Sequence, residues 1–321
     1  MKLLKTASNR NRFAPRMIPV AAFLVILGLC EISFAAAAQQ KTFPSADAAV
    51  KAAVAAAKSN DDKELLAIFG PQAKEILFSG DPVADKRRRG NFLAAFDEKY
   101  RLATEGESAI LIVGKQDWPF PIPLVKKGQS WVFDTAKGKV EILDRRIGEN
   151  ELFTIQACLA IVDAQREYAI KDRDSDGLNE YAQKMLSDPG KKNGLYWETK
   201  AGEEPSPIGP LVARAMKEGY KGAQGGPAPF HGYYYKILTA QGNNAPGGGF
   251  EYMVKGNLIG GFGVVAYPAT YGNSGVMTFI VNYDGVVYQK DVGNNTTQAA
   301  QAMTKFDPDK SWTKVENTAK P

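Results

Sequence analysis

The chain has 321 residues, with 40 Lys and Arg against 35 Asp and Glu, one histidine and two cysteines. One histidine excludes zinc sites built on two or three imidazoles, and the cysteine spacing excludes c-type haem attachment. Five of the basic residues and one acidic residue lie in positions 1–38, so residues 39–321 carry a net charge of only +1, which argues against nucleic acid as a partner.

Lys2, Lys5, Arg10, Arg12 and Arg16 precede an uncharged apolar run, Met17 to Cys30. Glu31 and the small residues Ala35 to Ala38 follow. This order is that of a secretory signal, expected over residues 1–38 with cleavage after Ala38. The run of 14 residues is short of the roughly 20 that a spanning helix needs. The expected location is therefore periplasmic or secreted. The alternative is an uncleaved signal anchoring the protein to the inner membrane, and no other membrane contact is expected. Leu29 before Cys30 disfavours lipid attachment there. Cys158 is then the one thiol of the exported chain, so an internal disulfide is excluded, and a buried, inert role is expected for it.

Helical signals begin at Ser45, a cap with Val50 and Val54 at helical spacing. Asp61 to Glu64 forms a capping-box pattern ahead of Leu65, Ile68 and Phe69, and Gly70-Pro71 ends that helix. Asp81-Pro82 starts a third helix, expected to reach about Arg101. Its basic run, Lys86 to Arg89, is expected on a solvated face. Ala109 to Val113 reads as a strand. Trp118 to Pro123 alternates proline with bulky apolar residues and must be an extended edge. Leu124-Val125 and Ser130 to Phe133 read as a hairpin.

A long amphipathic helix is expected from near Asn150 to about Ile170, with Leu152, Ile155, Leu159 and Val162 on one stripe. A short helix from Leu178 to Leu186 and another from Leu211 to Glu218 follow. From His231 the chain reads as an antiparallel meander, with tight turns at Lys255 to Asn257 and Tyr283 to Gly285. The fold class is therefore α+β in two domains, 43–148 and 149–316.

The segments DWPFPIPLVKKGQSWVFD (117–134), AQREYAIKDRDSDGLNEYA (164–182) and GVMTFIVNYDGVVYQKD (275–291) resemble the bacterial exported family catalogued as domain of unknown function 2950. The resemblance spans nearly the whole exported chain and implies an envelope or secreted location. The long helix followed by a meander also resembles the globular domain of type IV pilins and pseudopilins. The three helices before a curved sheet resemble a nuclear-transport-factor-like fold.

Asp172-Arg-Asp174-Ser-Asp176-Gly177 matches the start of a calcium loop, in which alternate carboxylates converge on one hard cation. Asp172, Asp174, Asp176, the carbonyl of Leu178 and Glu180 are the expected ligands of Ca2+. Position twelve of the loop is Gln183, not the Glu of an EF-hand, so the affinity expected is modest. The bland reading is a solvated helix cap.

Any Ser–His or Cys–His chemistry would have to use His231, the candidate catalytic residue, and there is no G-x-S-x-G elbow. The competing reading of His231 is a strand-end residue bonded to backbone. The glycines at 247–263 match neither a phosphate-binding loop nor a dinucleotide fingerprint. Tyr233, Tyr234, Tyr235, Tyr252, Tyr267 and Tyr271 mark the meander either as core or as a surface for peptide or glycan. The function expected is a non-enzymatic envelope module that binds or assembles with an envelope protein, peptide or glycan. A cell-wall or peptide hydrolase, and an accessory of a pilus or secretion apparatus, are the alternatives.

Overall fold

The computed structural model describes residues 40–173, 175–200, 202–220 and 228–316; the expected signal segment lies outside them. Among the described residues no helix is long and apolar enough to cross a membrane.

The start signals act as local chemistry dictates. The Ser45 hydroxyl accepts from Ala48 N at 3.1 Å and caps α1 (Ala46–Ser59). Asp61 caps α2 (Asp62–Phe69) through Glu64 N at 2.9 Å. A single turn, α3 (Lys74–Leu77), follows. Asp81 caps α4 (Pro82–Glu98) through Ala84 N at 3.0 Å, with Pro82 in the first turn.

Helix α4 stops at Glu98, short of Arg101, because Lys99 is extended and the next residues pair as a strand. That strand, β1 (Tyr100–Glu105), runs antiparallel along the whole of β2 (Ser108–Val113). It has no apolar run of its own and is exposed at both ends, so nothing local announces it. The prolines hold β3 (Trp118–Pro119) to a short edge pairing with β2. β4 (Leu124–Lys127) and β5 (Ser130–Phe133) form the expected hairpin. The sheet order is β1-β2-β4-β5, with β3 beside β2. Helices α1, α2 and α4 close over it around Val50, Ile68, Phe69, Leu111, Leu124 and Phe133.

The long helix α5 spans Thr135–Tyr168 and opens well before Asn150. Its first turns hide from periodicity because they carry Gly138 and the exposed Val140. Gly138 is there for contact: a Cβ would lie 2.7 Å from the Pro121 carbonyl and 2.6 Å from Ile122 Cγ1. Helix and proline-rich segment thus touch backbone to backbone. Ile142 of α5 packs on the first core, and Ile155, Cys158, Ile161 and Val162 enter a second. The boundary expected between residues 148 and 149 falls inside this helix, and the described residues form one compact unit.

Residues 178–186 do not form the expected helix. β6 (Lys184–Leu186) pairs in parallel with β7 (Gly194–Tyr196). The Gln165 amide takes both backbone groups of Ala182 at 2.8 Å, and Tyr181 N donates to Leu258 O at 2.9 Å. Tertiary partners therefore satisfy the groups a helix would have paired. Helix α6 (Gly209–Glu218) forms close to where it is expected.

The meander supplies β8 (Tyr233–Leu238), β9 (Ala240–Gln241), β10 (Phe250–Glu251), β11 (Met253–Val254), β12 (Asn257–Leu258), β13 (Gly263–Pro268), β14 (Met277–Asn282) and β15 (Tyr288–Asp291). Helix α7 (Thr296–Ala302), β16 (Lys305–Phe306) and β17 (Thr313–Lys314) complete the chain. The main sheet is antiparallel, in the order β17-β15-β14-β13-β8. It is covered on both faces, so β13 is buried at every position. Val264 and Ala266 pack with Phe279 and Val281 in the α5 core. Val265 and Tyr267 pack with Ala300 of α7 and Phe306 of β16. The architecture is α+β.

Candidate functional site

An open chamber of about 490 Å³ lies between helices α1, α2, α4 and α5 and the first sheet. Its size falls in the roughly 300–1,000 Å³ range of small-molecule sites. Helix α1 contributes the small residues Ala53 and Ala57, and α4 contributes Phe92 and Ala95. The sheet adds Leu111 and Val113, and the proline-rich edge adds Trp118 and Phe120. Small side chains in such a lining leave space that larger ones would fill.

Arginines line part of the same chamber. Arg87, Arg88 and Arg89 come from α4, and Arg145 and Arg146 from α5. The expectation that Lys86 to Arg89 lies on a solvated face fails for the arginines: their side chains are only 25%, 25% and 17% exposed. Arg89 pairs with Asp62 at 2.7 Å, and Arg87 with Glu218 at 2.9 Å. Arg88 donates to Asn150 Oδ1 at 2.9 Å and to Glu149 at 3.3 Å, yet its buried Nη1 has no partner among the described residues. Arg145 pairs with Glu141 and lies over the Trp118 ring at 5.8 Å.

Arg146 is 4% exposed and forms no ion pair among the described residues. Its guanidinium donates to the carbonyls of Glu75 and Ile76 and to Asn273 Oδ1, tying α5 to the α3 turn and to the loop after β13. Its Nε is buried without a partner. Burial, with Arg88 nearby, pulls its pKa down to about 10, so it stays charged at neutral pH. Sequence reasoning missed this arginine because its stretch of α5 was not read as helix.

His231 lies outside the chamber, 3% exposed, at the entry to β8. Its ring stacks on Phe153 at 3.6 Å between centroids, edge-on to Phe230. Nε2 lies 2.8 Å from Glu218 Oε2. Arg87 Nη2 lies 3.5 Å from Nδ1. Desolvation holds the imidazole pKa below its usual value; Glu218 opposes that and Arg87 adds to it. The backbone N–H of His231 donates to the Tyr220 hydroxyl at 3.2 Å. His231 has φ 49 and Gly232 φ 77, and a Cβ on Gly232 would sit 2.5 Å from Asn150 Nδ2.

In the acidic loop, Asp172 accepts from Ser175 N at 2.7 Å and Gly177 N at 2.9 Å. Asp176 accepts from Leu178 N at 2.8 Å and from Asn257 Nδ2 at 3.0 Å. Glu180 is buried, and its Oε2 accepts from Leu258 N at 3.0 Å. Asp174 lies outside the described residues. Among those described, no three His, Cys, Asp or Glu side chains form a group able to hold a metal ion.

The meander tyrosines go chiefly to the interior. Tyr233, Tyr252 and Tyr267 are buried, and the hydroxyls of Tyr233 and Tyr252 bond Met277 O at 2.9 Å and Gln241 Oε1 at 2.7 Å. Cys158 is fully buried, and desolvation pushes its thiol up to about 12.

No curated protein and no solved structure matches the chain, so the expected likenesses to pilins and to a nuclear-transport-factor-like fold gain no support from known structures. Residues 40–315 match the family model described as "Protein of unknown function (DUF2950)". With nearly the whole chain covered, the protein belongs to the DUF2950 family.

Proposed function

We propose that the protein is a non-enzymatic binding module working outside the cytoplasm, and that the chamber of the N-terminal half is its binding site. The observation that carries this reading is a space of about 490 Å³ whose walls are largely apolar, Ala53, Ala57, Phe92, Leu111 and Val113 among them. Location outside the cytoplasm rests on the signal-like leader. The periplasm or the medium follows if it is cleaved, and the inner-membrane surface if it is retained. A neutral apolar dye, N-phenyl-1-naphthylamine, tests the reading. Saturable enhancement at one dye per chain supports it, and no enhancement overturns it.

Calcium is part of the proposal for the loop from Asp172 to Glu180. The D-x-D-x-D-G spacing supports it, and the backbone bonds already made by Asp172, Asp176 and Glu180 support the plain-turn alternative.

The hydrolase alternative has one observation in its favour, the Glu218 carboxylate beside a neutral His231. Burial of the ring among Phe153, Phe230 and Arg87 weighs against it. The Tyr220 hydroxyl that reaches His231 N is bonded to Asp81, and burial holds it un-ionised. The third reading, an accessory of a pilus or secretion apparatus, rests on element order alone.

A further inference from the structure

A second recess, of about 370 Å³, opens at the small sheet β10-β9-β16 and shares no lining residue with the chamber. The loop between β9 and β10 lines it, with Phe250 and Glu251 of β10, Lys305 of β16 and Asp307 just beyond. That loop, residues 242–249, has four glycines in eight residues and is costly to order. Yet it is tied down from within. The buried Gln241 amide donates to Pro246 O at 2.8 Å and to Gly248 O at 2.9 Å. Asp307 Oδ1 accepts from Asn244 N at 2.8 Å, and both Asp307 oxygens accept from Asn244 Nδ2 at 3.1 Å. A Cβ on Gly242 would collide with the Asp307 carboxylate, and one on Gly249 with Asn243 Oδ1. These two glycines let polar side chains lie against the loop backbone, so the recess is preformed rather than assembled on binding.

The accessible groups of the lining are mixed in kind. Register sets Glu251, Ala240 and Lys305 in one row across the sheet. The Glu251 carboxylate lies 3.6 Å from Lys305 Nζ, and both side chains are more than half exposed. Neither the Glu251 nor the Asn243 side chain forms a hydrogen bond among the described residues, and both residues are exposed. Asp307 Oδ2 takes one hydrogen bond and keeps a lone pair free. Free acceptors and free donors therefore stand side by side, one ammonium against two carboxylates. An anion would meet the carboxylates, and a lone cation would leave the ammonium and the amide unserved. Adjacent hydroxyl groups both donate and accept, so a polyol serves every one of these groups while carrying no charge. Phe250 is 39% exposed and adds apolar surface to the same lining.

We infer that this recess binds an uncharged sugar unit of a glycan, its hydroxyls on Asn243, Glu251, Lys305 and Asp307 and its C–H face on Phe250. A pyranose joins a hydroxyl-rich edge to an apolar face, which is the combination the lining presents. The volume lies within the roughly 300–1,000 Å³ of small-molecule sites. The site is independent of the chamber, and either stands without the other.

The test is calorimetric titration of the purified protein with trisaccharides. Maltotriose, cellotriose and the N-acetylglucosamine trimer are uncharged, trigalacturonate is an anion and the glucosamine trimer a cation. Saturable binding of at least one uncharged trimer, tighter than either charged one, is the expected result. Phe250→Ala and Glu251→Gln should each weaken it about fivefold or more, the size of one lost contact. Both side chains are exposed, so melting curves of the two variants should stay near that of wild type. The sugar should leave N-phenyl-1-naphthylamine in the chamber undisturbed. No saturable binding of any uncharged trimer at about 10 mM overturns the inference. Tighter binding of a charged trimer overturns it as well. Wild-type affinity in both variants, or displacement of the dye by the sugar, places the sugar elsewhere and overturns it too.

Discussion

The hydroxyl of Tyr220 donates a 2.7 Å hydrogen bond to Asp81 Oδ2 across 139 residues of sequence. The same Oδ2 accepts from Gly232 N at 3.0 Å, while Oδ1 caps α4 through Ala84 N. Asp81 is 1% exposed, so one carboxylate starts the helix that carries the arginine run and fixes both α6's exit and the turn into β8.

Losing that carboxylate strands three buried donors. Asp81→Ala is expected to cost about 3 kcal/mol or more, from the cap and the orphaned donors together. Tyr220→Phe, which leaves two of the three bonds, is expected to cost about 1–2 kcal/mol. Urea denaturation reads both. An Asp81→Ala variant within about 0.5 kcal/mol of wild type contradicts the role, since that is the range of ordinary surface changes.

The acid side of the stability curve should carry the signature of His231. Its native pKa lies below the usual 6.5, so the unfolded chain binds the proton more readily than the folded one. The stability it contributes is complete above pH 6.5 and is lost as pH falls below that value, with a slope of at most about 1.4 kcal/mol per pH unit. Wild type should therefore lose stability relative to His231→Gln between pH 7 and pH 5. A difference that stays flat over that interval means the ring is not buried as a neutral group.

Calcium binding to the acidic loop predicts a higher melting temperature in calcium than in EDTA, abolished by Asp174→Ala. For a modest site with Kd near 10⁻⁴ M, 10 mM calcium stabilises by about 2.7 kcal/mol. Identical melts in the two buffers reduce the loop to a turn in which Asp172 and Asp176 serve backbone N–H groups.

What could be read from the sequence is what local chemistry decides. Ser45, Asp61 and Asp81 cap helices because each side-chain oxygen meets an N–H within its own first turn. The hairpin at 124–133 and the core strands of the meander follow from short apolar runs bounded by turn residues. What escaped was decided by distant partners. β1 exists through β2, and 178–186 is extended because Gln165 and Leu258 hold it. The first turns of α5 tolerate Gly138 because Ile122 and Pro121 press against them. The chamber was invisible for a related reason. Ala53 and Ala57 look like ordinary helix formers, and only the assembled sheet shows that their small size leaves a space. The arginine run was legible as charge but not as a lining, since Arg146 joins it from another helix.

The chamber itself is tested most directly by filling it. Ala53 is buried on α1 and lines the space, so Ala53→Phe should occupy the volume a ligand needs. The titration with N-phenyl-1-naphthylamine, run on wild type and on this variant with melting curves alongside, decides the matter. Saturable binding of one dye by wild type, lost in a variant that still melts cooperatively, is the result predicted here. Equal dye binding by the two proteins would place the dye elsewhere and contradict the chamber as the binding site.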